Sequence, residues 1–111
     1  MKPLDVALKY MEIFFGGKNM EDLRSLLTDD CKFEGPFYQF ETAADYVRSL
    51  REDPPQDFKY EILQRFENES SVCLVYQFSK PGISTPMVQV FEFRENKICK
   101  ILLIFDSGVF S

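Results

Sequence analysis

An α+β fold is what this sequence predicts, with three N-terminal helices packed on a curved antiparallel sheet that the second half builds. Three observations carry that expectation. Apolar residues recur at helical spacing through the first half, they alternate at period two from Asp57 onward, and the links between the later runs are short enough to be hairpin turns. The chain has 111 residues, of which 45% are apolar, including 12 Phe and 5 Tyr. That is material for one compact interior and little room for a second, so residues 1–111 are expected to form a single domain.

Leu4, Ala7, Leu8, Met11, Phe14 and Phe15 fall on one helical face, and Pro3 suits a first turn. The first helix is therefore expected over 3–15. Val6, Tyr10 and Ile13 sit beside that face, so this helix is apolar around much of its circumference and needs cover on more than one side. Gly16-Gly17 ends it by supplying left-handed backbone. Asn19 is placed to cap a second helix carrying Leu23, Leu26 and Leu27 on one face, with Thr28-Asp29-Asp30 as its stop. Cys31 to Glu34 alternates as a short strand until Gly35-Pro36 breaks the ladder, and a brief extended piece runs from Phe37 to Phe40. Thr42 with Asp45 resembles a capping box for a third helix reaching about Arg51, with Ala43, Val47 and Leu50 inward and Asp53-Pro54-Pro55 as its end. Four longer strands follow over 57–67, 71–79, 85–94 and 98–106. Asn68-Glu69-Ser70, Lys80-Pro81-Gly82 and Glu95-Asn96-Lys97 reverse the chain between them.

Composition removes several function classes. Thirteen basic residues stand against 18 acidic ones for a net charge of -5, and no run of Lys and Arg is available to track a phosphate backbone, so nucleic acid is not an expected partner. No apolar run is long enough to span a membrane, and Met1 to Asp5 lacks the layout of a secretion signal, so the expected location is cytoplasmic. Histidine is absent. Ser-His-Asp and Cys-His nucleophiles and histidine-based metal sites therefore cannot be assembled, and neither a metal nor a cofactor is expected. Cys31, Cys73 and Cys99 lie in apolar segments without metal spacing and read as buried thiols.

The last strand is apolar on both faces. An antiparallel sheet usually keeps one face wet, so the expected partner is a second copy of the chain, packed against the outer sheet face as a homodimer.

Two strings resemble the nuclear-transport-factor-2-like superfamily, in its SnoaL-like and ketosteroid-isomerase-like branch. Residues 26–37, Leu-Leu-Thr-Asp-Asp-Cys-Lys-Phe-Glu-Gly-Pro-Phe, look like that family's helix-to-strand junction. Residues 96–106, Asn-Lys-Ile-Cys-Lys-Ile-Leu-Leu-Ile-Phe-Asp, are similar to its last strand. The order of elements agrees, and the resemblance implies a cone-shaped fold that hosts enzymes, binding modules and dimerisation domains alike. Carried over residue by residue, the isomerase's helical tyrosine corresponds to Tyr10. Its aspartate base falls on Gly35, and its second oxyanion donor falls on Gln89. Gln89 can donate a hydrogen bond, but Gly35 has no side chain to take a proton, so ketosteroid isomerisation by that mechanism is not expected.

Asp106 is a further catalytic candidate, and its direction depends on the last hairpin. A two-residue turn places Gln89, Phe91, Leu102, Ile104 and Asp106 on one face, whereas a three-residue turn pairs the Gln89 face with Ile101, Leu103 and Phe105. The resemblance favours the second register, in which Asp106 points away from the pocket or caps the strand end. Glu34 alternates with Phe33 and is expected in solvent. Tyr38, Tyr46, Tyr60 and Tyr76 are accounted for by packing. Gln89, flanked by Val88 and Val90, is the best pointer to a pocket, because an inward amide needs a partner.

Two readings follow. In the first, a small apolar molecule binds in a hydrophobic pocket lined by Tyr10, Phe14, Gln89, Phe91 and Phe105, with or without cofactor-free catalysis by Tyr10 or Asp106. In the second, Phe14, Phe33, Phe58, Phe66, Phe91 and Phe105 fill the cone of a non-catalytic dimerisation or accessory module.

Overall fold

The computed structural model describes residues 1–111. Helix α1 (Pro3–Gly16) buries Val6, Ala7, Tyr10 and Met11, a stripe that runs between the two apolar sets legible in the sequence. Its end is set by Gly17 at φ 65°, whose N–H donates to the Phe14 carbonyl at 3.3 Å. A Cβ there would also lie 2.8 Å from the Pro55 carbonyl oxygen, so glycine is required by backbone angle and by space at once.

The expected second helix is instead a 3-10 helix over Met20–Leu26, and Asn19 makes no side-chain cap. Side chains three apart eclipse in that geometry, which puts Met20 and Leu23 on the same buried edge. Leu27, Thr28, Asp29 and Asp30 do not belong to a helix; they open strand β1 (Leu27–Glu34). Helix α2 (Ala43–Glu52) agrees with the capping expectation: the Thr42 hydroxyl accepts from the Asp45 N–H at 3.2 Å. Ala43, Tyr46 and Val47 form its buried face, and Leu50 is half-buried.

The remaining strands are β2 (Gln39–Phe40), β3 (Lys59–Glu67), β4 (Ser71–Lys80), β5 (Ile83–Arg94) and β6 (Lys97–Ile104), and a 3-10 turn at Ser107–Phe110 closes the chain. The six-stranded sheet has the order β2-β1-β6-β5-β4-β3. Its last four strands are an antiparallel meander, as the three turn signals imply. The sheet as a whole is mixed, because β1 docks on the open edge of β6 in parallel. No local pattern encodes that pairing, which joins strands from opposite ends of the chain.

Bulges bend the sheet around the helices. One falls between Ile62 and Gln64 of β3, and another in β1, where Thr28 to Cys31 swing out opposite Cys99. The excursion is held by Asp29 on Arg24 and by Asp30, which accepts from Arg94 at 2.5 Å. Hydrogen bonding to Arg94 keeps the Asp30 carboxyl below its ordinary range.

The last hairpin decides the inner surface. Its turn is two residues, Glu95-Asn96, both at positive φ, with Arg94 opposite Lys97. One extra residue, Cys99, then offsets β6, so that Phe91 faces Ile101 and Gln89 faces Leu103. The register is the one expected from the resemblance, but a bulge produces it rather than a longer turn. Ile98 and Ile101 both point inward and are fully buried. Of the thiols only Cys31 is buried; Cys73 and Cys99 are half-buried, because they stand on the outer rows and at the bulge. No helix is long and apolar enough to cross a membrane.

Replacing Gly17 with Ala should cost at least about 1 kcal/mol, since it combines left-handed strain with a clash against Pro55. Urea unfolding of the variant would measure it, and an unchanged midpoint would refute the close approach.

Candidate functional site

Helices α1 and α2 do not fill the concave side of the sheet. They leave a cavity of about 640 Å³ bounded by α1, α2, the strand ends and the C-terminal turn. Its wall is mainly aromatic. Phe14, Phe15, Phe33, Phe40, Phe58 and Phe105 line it, and charged side chains are limited to Glu52, Asp53 and Lys80.

Polar atoms gather where α1, α2 and the central strands meet. Gln89 projects inward from β5 and is 4% exposed. Its Oε1 accepts from the Tyr76 hydroxyl of β4 at 2.8 Å, a diagonal neighbour across the hairpin. Beside the same amide stands Tyr10, whose hydroxyl shares a hydrogen bond with that of Tyr46 from α2. The result is a cluster of four polar side chains, bonded as the pairs Tyr76–Gln89 and Tyr10–Tyr46, drawn from four elements and all lining the cavity. No buried side-chain nitrogen or oxygen lacks a partner.

Rings hold the hydroxyls in place. Tyr10 meets Phe91 edge-on with centroids 5.2 Å apart, and Tyr46 stacks on Phe33 at 4.7 Å. Burial drives the Tyr10 hydroxyl well above the ordinary phenol range, reinforced by Tyr46 and opposed by Gln89. Tyr46 and Tyr76 are raised for the same leading reason. All three phenols are therefore neutral donors and acceptors at physiological pH. Tyr76 commits its proton to Gln89, but the Tyr10–Tyr46 pair keeps one proton free to polarise a carbonyl or hold a hydroxyl, and none of the three is a ready base.

The sequence candidates separate into two groups. Tyr10, Phe14, Gln89 and Phe105 line the cavity. Phe91 does not: it is fully buried behind Tyr10 as a packing residue. Asp106 stands outside the cavity as well, where its Oδ1 accepts from the Gly108 N–H at 2.9 Å and caps the C-terminal turn. Glu34 is half-buried at the end of β1 and contributes nothing to the wall. Gly35 is on the wall, and a Cβ added there would come 3.2 Å from the Phe33 ring.

Tyr46 and Tyr76 are functional candidates that sequence reasoning passed over as packing residues. Both carried a usable signal. Tyr46 shares a helical face with Ala43, Val47 and Leu50, and the Pro81-Gly82 turn sets Tyr76 diagonal to Gln89. No three His, Cys, Asp or Glu side chains cluster as a metal donor set.

A match to the SnoaL-like domain family covers residues 7–101. The chain belongs to the SnoaL-like domain family. Solved structures share the fold of this SnoaL-like domain at low sequence identity. A nuclear-transport-factor-2-like protein of unknown function from Cytophaga hutchinsonii is 21% identical, with a TM-score of 0.80 over 100% of this chain and 96% of that one. A protein described as a putative ketosteroid isomerase, from Kribbella flavida, is 18% identical, with a TM-score of 0.80 over 92% and 76%. A protein described as a putative SnoaL-like polyketide cyclase, from Shewanella putrefaciens, is 14% identical, with a TM-score of 0.77 over 97% and 82%. A search of curated proteins finds no match.

The raised phenols fix a pH dependence. A phenol whose folded value exceeds its unfolded one keeps its full contribution below the unfolded value, about pH 10, and loses it as pH rises toward the folded value. Tyrosinate absorbance from Tyr10, Tyr46 and Tyr76 should therefore appear only with alkaline unfolding. Their reversible titration near pH 10 in folded protein would contradict the buried network.

Proposed function

We propose that this SnoaL-like domain binds a small apolar molecule with one carbonyl or hydroxyl oxygen, which the cluster of Tyr76, Gln89, Tyr10 and Tyr46 reads inside the aromatic cavity. The observation that carries this reading is the placement of four polar side chains, bonded as Tyr76–Gln89 and Tyr10–Tyr46, on the wall of a largely aromatic space. The volume of about 640 Å³ lies in the range of small-molecule sites, and it weighs against a cone filled by its own phenylalanines. Phe66, one of those proposed fillers, lies on the outer sheet face and is 56% exposed.

Any chemistry here is electrophilic. The Tyr10–Tyr46 pair can donate to a carbonyl oxygen, while glycine occupies the position of the isomerase base and the rim carboxylates Glu52 and Asp53 are exposed. The domain is thus a carrier, or a catalyst that polarises a substrate without taking a proton from it. Ketosteroid isomerisation through an aspartate base is not part of the proposal.

Calorimetric titration with acetophenone and ethylbenzene isolates the oxygen. Acetophenone should bind about tenfold more tightly, the equivalent of one well-made buried hydrogen bond. Tyr46→Phe and Gln89→Leu should each shrink that ratio. Equal affinity for both probes would leave the cavity without a polar anchor, and failure of both to bind would return the filled-module reading.

We also propose that a second copy covers the outer sheet face. Leu63, Phe66 and Ile104 are each at least half exposed there, beside half-buried Val75, Val88, Val90 and Leu102. That patch is uncharged, so two copies can meet on it despite the chain's charge of -5. Sedimentation at micromolar concentration should give a dimer, and Ile104→Lys a monomer. A monomeric parent protein would overturn the pairing.

A further inference from the structure

Lys80 is the sole basic side chain on the cavity wall. It takes part in none of the chain's five ion pairs. Its ammonium nitrogen lies 5.8 Å from the centroid of Phe58 and 5.3 Å from that of Phe110, two rings that bring the segment before β3 and the C-terminal turn to the mouth. Lysine usually carries its charge out into water. Here the side chain is half-buried and its charge is held between two ring faces.

Its place along β4 gives it a relation to the polar cluster. Tyr76, Phe78 and Lys80 are successive inward residues, so the row presents a phenol, an apolar ring and then a cation. At strand spacing, Tyr76 and Lys80 are ~13 Å apart along the backbone. Two carboxylates, Glu52 and Asp53, also reach the wall, from the C-terminal end of α2. Both are exposed, so water screens them more than it screens the ring-flanked ammonium.

We infer that the ligand is an elongated apolar acid, with Lys80 binding its carboxylate, or an equivalent anionic group, at the mouth while the body lies along the aromatic wall. This deepens the reading that the cavity is a binding site and rests on it. Lys80 is then a specificity residue that separates acids from neutral molecules of the same shape. The charge-assisted contact is stronger than a neutral hydrogen bond because both partners are ionised.

Decanoate, methyl decanoate and decylammonium differ only at the end group and test the assignment by calorimetric titration, with acetophenone as an independent probe of the cavity. Decanoate should bind about tenfold more tightly than its methyl ester. Lys80→Met should abolish that preference, and Lys80→Arg should keep it. Far-ultraviolet circular dichroism and the melting temperature of each variant establish that it folds. Equal binding of acid and ester to the parent protein, or a preference that survives in K80M, would overturn the proposal while acetophenone binding left the cavity reading intact. Tighter binding of decylammonium would also overturn it and assign the mouth to Glu52 and Asp53. If acetophenone and the decyl series all fail to bind, both readings fall together.

Discussion

The whole inner surface depends on a one-residue offset between β5 and β6. Glu95-Asn96 makes a tight turn, and a strict ladder from it would bring Leu102 and Ile104 to the face that Gln89 occupies. Cys99 inserts one residue, and the alternation of β6 reverses beyond it. Ile101 and Leu103 then join Gln89 and Phe91 inside, and Leu102 and Ile104 turn out. One bulge therefore sorts the strand's apolar residues into a core set and an outer set. It also leaves Gln89 among neighbours too apolar to satisfy its amide, so the partners must come from elsewhere.

Those partners are phenols, and their energetics explain the shape of the site. An amide or hydroxyl withdrawn from water without a partner costs a few kcal/mol, roughly as much as burying one large side chain gains. Four such groups in one core would be a heavy burden if isolated. Paired as Tyr76 with Gln89 and Tyr10 with Tyr46 they offset much of one another's cost, and the aromatic rings that carry three of them supply the apolar contact around them. The helices can thus approach the sheet closely at Tyr10 and Tyr46 while leaving space farther along the same wall. Closed packing at one end and an open cavity at the other both follow from where those hydroxyls meet.

Much of the fold was legible from local chemistry. Periodicity located α1 and α2, Thr42 and Asp45 marked a real cap, and three turn signals gave the meander its antiparallel order. The misreadings fell where the deciding contact is distant. Met20 and Leu23 fit an α-helical face as well as the 3-10 edge they adopt, and Asp29 and Asp30 looked like a helix stop until Arg24 and Arg94 claimed them. In the candidate site, Tyr10 and Gln89 were visible because a resemblance or an anomalous polarity drew attention to them. Tyr46 and Tyr76 were not, because an aromatic ring in an amphipathic pattern is explained before its hydroxyl is considered. Phe91 shows the converse: its residue type suited a pocket wall, yet its register placed it behind Tyr10.

The parallel seam between β1 and β6 sets an order of events in folding. The meander can zip up one hairpin at a time, each turn closing a short loop. Strand β1 has to wait, since its partner is made by the far end of the chain and most of the sequence must be spanned to bring them together. Until then the free edge of β6 offers unpaired amides and carbonyls to any strand in reach. The topology therefore makes assembly of the N-terminal layer on the finished meander the expected slow step, and the stage at which strand exchange between copies would compete with correct folding.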